Sequence, residues 1–293
     1  MLLALLSAAR PRQWVKNLFV AAPLVFAKRL GDAVDVRRAA AATAIFCALS
    51  SAVYLWNDCV DLEKDRAHPI KKKRPIASGR LAITTARAAA ATAAAGGLAL
   101  AYLLEPMFAV CAGGYLAINL AYSHGVKHVV YVDVIAIAAG FLLRVAGGAL
   151  AIRVESSPYL LLCTGLLACF LGFGKRAHEL AAAVSVDKAA AQRAVLRGYH
   201  AGVLKAALAV TGAATFAAYV AYTQAEHTRA FFHTTRMLWT APFAAFGLLR
   251  FYALVTRTSS NDSPTDAMLK DAAFVINFIL WAAATTLIIY FKP

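Results

Sequence analysis

Acidic side chains are scarce in this 293-residue chain: 15 Asp and Glu stand against 30 Lys and Arg, a net charge of +15. Charge of either sign is sparse. It makes up 15% of residues, while 61% are hydrophobic and the mean hydropathy is +0.64. Such a chain is not a soluble domain but a polytopic membrane protein. Nucleic-acid binding is excluded too, because no soluble module offers a basic exposed face. Only five cysteines occur (Cys47, Cys59, Cys111, Cys163 and Cys169), in or against apolar stretches and without metal-ligand spacing. They imply neither a zinc site nor a disulfide framework. A positive n-region is missing before the apolar Leu2 to Ala9, and Arg10, Pro11 and Arg12 come after it. This segment therefore reads as a short amphipathic stretch on the membrane surface, not a signal peptide.

What is present is a series of apolar runs. They predict an all-α protein with one membrane-embedded domain over residues 1–293 and nine transmembrane helices. The spans fall at about 14–30, 36–57, 82–103, 107–122, 131–152, 156–173, 201–222, 237–256 and 271–291. Gly96-Gly97, Gly113-Gly114 and Gly147-Gly148 read as helix-packing contacts rather than phosphate loops. Most of the basic residues fall on one side if the N-terminus is inside, which places that side in the cytoplasm and the C-terminus outside. The setting expected is a bacterial inner (plasma) membrane. Two polar loops, at about 58–80 and 174–197, lie on the inner side, and long polar loops in compact proteins usually carry function. Their similar places hint at two four-helix repeats followed by a ninth helix.

The few acids are concentrated where the second apolar run ends, in Asn57-Asp58-Cys59-Val60-Asp61-Leu62-Glu63-Lys64-Asp65. At 100° per residue, Asn57, Asp61, Asp65 and Asp58 fall at about 0°, 40°, 80° and 100° on a helical wheel. All four share one arc. Glu63 and Lys64 fall outside it, and Cys59 lies on the back, as packing. Oxygen ligands suit Mg²⁺, which takes one or two carboxylates plus substrate phosphates and waters. The plainer alternative is a solvated helix end whose acids pair with nearby cations.

Cations follow directly. After His68, Pro69 stops the helix, and Lys71-Lys72-Lys73-Arg74-Pro75 turns back over the acids. Arg74, held beside a proline, can grip a phosphate bidentately, whereas Lys71 to Lys73 serve equally well as orienting charges. A second basic motif, Lys175-Arg176-Ala177-His178-Glu179, ends the sixth span. It is either another phosphate cradle or a helix-end salt bridge. Lys16 and Asn17 open the first span. Tyr122, Ser123 and Lys127 lie at loop 4–5, and Lys127 could reach a phosphate or simply snorkel. Arg144 lies deep in the fifth span, as a buried structural pair or a substrate contact.

The signature Asn57-Asp58-x-x-Asp61-x-x-x-Asp65, with His68-Pro69 and Arg74-Pro75-Ile76-Ala77-Ser78-Gly79, resembles that of the UbiA superfamily of intramembrane prenyltransferases. The resemblance extends over nearly the whole chain. It implies a helical bundle around a central cavity, capped on the cytoplasmic side, with Mg²⁺ on the Asn/Asp signature. One departure is informative. Aromatic prenyltransferases of the superfamily carry a second motif, Asp-x-x-x-Asp, where this chain has Lys175 to Glu179. With Arg10 to Asn17 and Tyr122 to Lys127, the pattern is similar to the decaprenyl-phosphate phosphoribosyltransferase branch. That branch joins 5-phosphoribosyl diphosphate to a polyprenyl phosphate, releasing diphosphate, on the way to cell-envelope arabinose.

The resemblance implies Mg²⁺ and donor diphosphate at Asn57, Asp58, Asp61 and Asp65, and donor phosphates at Arg74, Lys175 and Arg176. It implies acceptor phosphate at Lys16 and Lys127, and ribose contacts at Tyr122, Ser123 and Glu179. The competing expectations are an aromatic prenyltransferase using a prenyl diphosphate, and a transporter, against which stands the gathering of ionisable groups at one face.

Overall fold

The computed structural model describes residues 1–184, 198–257 and 264–291, and every regular element among them is helical. The chain groups into two compact units: residues 1–127 with 139–156, and residues 128–138 with 157–293.

The first unit opens with α1 (Leu2–Ala9), a 3-10 helical stretch over Pro11–Ala21 and the short α2 (Ala22–Phe26). It continues through α3 (Ala33–Val60), α4 (Leu62–Ala67), α5 (Ile83–Leu104) and α6 (Pro106–His124). It also takes most of α7 (Val132–Ala151). Asp32 starts α3 by accepting from the amides of Val34 (2.8 Å) and Asp35 (3.2 Å), which satisfies two of the donors a helix start leaves open. The core gathers Val20, Phe46, Leu49, Phe108, Ala112 and Tyr115. A second cluster packs Cys59 with Leu55, Ile76, Leu81 and Ala86, so this cysteine fills space behind the acids.

The second unit holds α8 (Pro158–Val184), α9 (Ala201–Gln224), α10 (Glu226–Phe232), α11 (Ala241–Arg257), α12 (Pro264–Lys270) and α13 (Ala272–Tyr290). Phe170, Leu208, Phe251 and Val255 form its core. Asp271 caps α13 through the Phe274 amide (2.8 Å) and takes both Nε (3.1 Å) and Nη2 (2.6 Å) of Arg250. The Arg250 guanidinium holds this carboxyl below the usual carboxylate range. Long runs of α9 and α13 expose Val203, Val210, Ile276, Ile279 and Leu280, the outward apolar face that a bilayer requires.

Among the described residues, seven helices are long and apolar enough to cross a membrane, where the sequence pattern gives nine. The span expected at 14–30 is replaced by the 3-10 stretch and α2. Pro23 within it lacks a backbone donor, and Lys28 adopts a left-handed conformation (φ 58°), so no single α-helix runs from 14 to 30. A helix of 19 residues, α6, does occupy the fourth position, although it is not among the seven. The loop expected at 174–197 is helical at its start, because α8 continues to Val184; residues 185–197 lie outside the described ones.

Glycine permits one backbone crossing in the first unit. A Cβ on Gly148 of α7 would overlap the carbonyl oxygen of Val20, so the 3-10 stretch lies directly on the α7 backbone. Gly96 of α5, by contrast, faces open space. Gly148→Ala should cost about 1–3 kcal/mol, read as a lower thermal midpoint in detergent. Gly96→Ala should leave the midpoint unchanged or raise it, with a gain of up to about 1 kcal/mol.

Candidate active site

In the first unit, α3 ends at Val60 and Asp61 departs from helical geometry (φ −90°, ψ 13°). The hydrogen-bond ladder nevertheless runs on: the Asp61 amide donates to Asn57 O (2.9 Å) and the Asp65 amide to Asp61 O (2.8 Å). The four-residue spacing is thereby kept across the joint with α4. Asp58 and Asp65 are both 3% exposed, so neither is a solvated surface acid.

Every member of the motif has a partner. The Ser123 hydroxyl, at the end of α6, donates to Asn57 Oδ1. Arg10 Nη2 (2.5 Å) and Arg74 Nη1 (3.1 Å) both donate to Asp58 Oδ1. The same Arg74 Nη1 donates to Asp65 Oδ2 (2.6 Å), so one nitrogen bridges two carboxylates. Lys127 Nζ lies 2.7 Å from Asp61 Oδ1. Three carboxylates thus face three cations in a largely buried site. Unpaired, such charges would be costly; paired and hydrogen-bonded, they hold.

The loop that carries Arg74 is built by its own backbone. His68 Nδ1 accepts from the amides of Ile70 (3.1 Å) and Lys71 (3.3 Å). Burial, then the nearby Lys71 charge, pushes the His68 pKa down, which keeps the imidazole neutral as the acceptor these bonds need. Lys71–Lys73 form one 3-10 turn, and Arg80 Nη2 donates to Lys73 O (2.6 Å). Gly79 takes a positive φ of 78°, a conformation glycine adopts at little cost. Arg74 is thereby returned to the acids, while Lys72 and Lys73 remain exposed.

Arg10 did not stand out as a metal-site or phosphate residue in the sequence, because its partner Asp58 lies 48 positions away. Its local signal is the Arg10 to Asn17 stretch that it opens. Arg10 occupies the left-handed region (φ 55°) and its guanidinium covers the Tyr54 ring, 5.1 Å from the centroid. Lys16 lies partly exposed on the adjoining 3-10 stretch. Tyr122 is partly buried and Ser123 buried at the end of α6.

Arg144 has no carboxylate partner among the described residues. Its Nε donates to Asn17 Oδ1 (2.8 Å), Nη1 to Gly140 O (2.9 Å) and Nη2 to Tyr115 Oη (3.1 Å). Asn17 in turn donates to Ser50 Oγ (3.1 Å). Arg144 therefore ties the 3-10 stretch to α3, α6 and α7 through neutral groups and is only 5% exposed.

In the second unit, Arg176 is wholly buried. Its Nε lies 2.6 Å from Asp133 Oδ2 and its Nη1 donates to Glu179. Tyr199 donates to Asp133 Oδ1 (2.5 Å) and accepts from the Tyr131 amide (2.8 Å). Burial, and then the bond to Asp133, pushes the Tyr199 hydroxyl pKa up, so it stays a donor. The guanidinium expected on a donor phosphate is thus engaged with Asp133 and Glu179, and the latter is engaged with it. Lys175, the neighbour of Arg176 on α8, keeps partial exposure.

Among the described residues, no three His, Cys, Asp or Glu side chains are grouped as a ready metal cage. The donor chemistry nonetheless fits a hard cation. It offers one amide oxygen and three carboxylates without a soft ligand, and Asp58 and Asp65 are close enough to share one cationic atom.

Comparison with known proteins identifies the family. Residues 18–185 match the UbiA prenyltransferase family. The chain is 31% identical to the decaprenyl-phosphate phosphoribosyltransferase of Mycolicibacterium smegmatis, over 98% of this chain and 93% of that protein. It is 33% identical to the protein of the same name from Mycobacterium tuberculosis, over 94% of this chain and 91% of that one. Its fold is similar to a UbiA homolog from Archaeoglobus fulgidus solved with DMAPP and Mg²⁺, with a TM-score of 0.73 at 19% identity, covering 98% of this chain and 99% of the other. The chain is a multi-pass membrane transferase that belongs to the UbiA prenyltransferase family.

Proposed function

We propose that the protein transfers 5-phosphoribose from 5-phosphoribosyl diphosphate to a polyprenyl phosphate such as decaprenyl phosphate. The reading is supported by nearly full-length similarity to proteins of that name and by the basic Lys175-Arg176 pair. The observation that carries it is the set of paired charges: Asp58 with Arg10 and Arg74, Asp65 with Arg74, and Asp61 with Lys127. We place this end of α3 at the cytoplasmic face of a bacterial inner membrane.

The phosphate oxygen of the acceptor attacks ribose C1, the bond from C1 to the diphosphate oxygen breaks, and its electron pair leaves with diphosphate. The acceptor is already anionic, so no strong general base is needed. The demand falls on charge developing at the leaving group. Asn57, Asp58, Asp61 and Asp65 would hold Mg²⁺, which when bound supplies positive charge to the departing diphosphate. Arg10 and Arg74 exchange carboxylate for donor phosphate when the donor arrives. Lys127 and Lys16 receive the acceptor phosphate. Tyr122 and Ser123 are placed to meet ribose hydroxyls, and Ser123 also orients Asn57. In the second unit Lys175 is a phosphate ligand in its own right. Arg176 acts through Glu179 and Asp133, as the support of its helix.

Protein purified in detergent with Mg²⁺, labelled 5-phosphoribosyl diphosphate and decaprenyl phosphate should yield a labelled lipid, and chelation should abolish it. No labelled lipid, together with prenylation of an aromatic acid from a prenyl diphosphate, would contradict the assignment. Asp61→Ala should lower kcat/KM by about 100-fold or more. Arg10→Met should raise KM for the donor about tenfold or more with a smaller change in kcat, since it removes a charge that binds donor rather than the reacting atoms. Arg176→Met should act first on stability, lowering the thermal midpoint, because it leaves Asp133 buried without its cation.

A further inference from the structure

The end of the second unit farthest from Arg176 carries a second cationic site. Tyr199, which joins Asp133, lies just before α9, and α9 runs 24 residues to Gln224, about 36 Å. Beyond it, α10 and a 3-10 stretch over Arg236–Thr240 line a cavity of about 770 Å³ together with the last turn of α13. Its polar wall presents Arg229, His233 and Arg236, with the hydroxyls of Thr234 and Thr235. Its apolar wall is Leu287, Ile288 and Phe291, with Trp239 at the rim.

Among the described residues the charge here is one-sided. No carboxylate lines the cavity, and none pairs with Arg229, His233 or Arg236 among the described residues. Glu226, on α10, is exposed and not part of the lining. Arg229 Nη2 donates to Gln224, but its Nε is buried with no acceptor. The Arg236 guanidinium lies over the Trp239 ring, 5.4 Å from the centroid. Trp239 and Phe291 are 66% and 67% exposed, beside the outward apolar face of α13. Solitary interfacial arginines snorkel toward water. Two arginines and a histidine turned into one groove, with a buried donor unmet and an apolar wall beside them, instead form a receptor for an anionic group that has a hydrocarbon tail.

We propose that this cavity binds an anionic phospholipid. The headgroup phosphate takes Arg229, Arg236 and His233, and an acyl chain lies along Leu287, Ile288 and Phe291. The site is independent of the proposed transfer reaction.

Native mass spectrometry of the full chain tests this, with phosphatidylglycerol, phosphatidylcholine and inorganic phosphate as probes. Phosphatidylglycerol should be retained about tenfold better than phosphatidylcholine. Arg229→Gln with Arg236→Gln should abolish that preference, and Arg229→Lys with Arg236→Lys should keep most of it. Equal retention of the two lipids, or an undiminished preference in the glutamine variant, overturns the proposal. So does inorganic phosphate that displaces the lipid at equal concentration, or a dimer that the glutamine substitutions dissolve, since those results give the groove to a free anion or to a second copy. Should the glutamine variant fail to fold, brominated phosphatidylglycerol should quench the fluorescence of the unaltered chain, and Trp239→Phe should remove most of that quenching. Quenching unchanged by Trp239→Phe would overturn the assignment as well.

Discussion

Three carboxylates gathered where α3 meets α4, two of them buried, are costly unless something positive meets them. In the first unit Arg10, Arg74 and Lys127 do so. This neutralisation sets the local architecture. Arg10 requires the N-terminal segment to lie against α3, Arg74 requires the loop after α4 to fold back, and Lys127 requires the end of α6 to sit beside Asp61. Arg144 secures the first of these from below through Asn17, so a cation deep in the helices fixes a cation at their end. The arrangement is balanced in charge, with Asp58, Asp61 and Asp65 met by Arg10, Lys127 and Arg74.

The second unit solves a similar problem differently. Arg176 and Asp133 pair with no exposure at all, while Tyr199 donates to Asp133 and Arg176 donates to Glu179. A buried ion pair of this kind gives α8 a defined position against the start of α7. Lys175 and Arg176, adjacent in sequence, therefore have different surroundings. On a helix, neighbours point about 100° apart, and one faces the core while the other does not.

The motif from Asn57 to Asp65 was legible because acids are rare in this chain and a wheel projection survives the break at Asp61. Arg74 was legible because it is bracketed by proline and follows the acids closely. Arg10 and the Arg176–Asp133 pair were not, since each joins residues more than 40 positions apart and nothing in local pattern encodes such pairing. The first expected span is not one α-helix because hydropathy averaging gave too little weight to Pro23, whose effect is on backbone donors rather than on apolarity. The length of α8 was misjudged in the opposite sense: charged residues from Lys175 onward suggested a loop, yet Arg176 is buried with a partner, so the helix continues.

The central claim is that the metal and the donor bind as one coupled event at these acids. Titration calorimetry of 5-phosphoribosyl diphosphate, carried out with and without Mg²⁺, measures that coupling directly. The account predicts tight donor binding only when Mg²⁺ is present, with the dependence lost in Asp58→Asn. Donor affinity that is the same with and without the metal would contradict it.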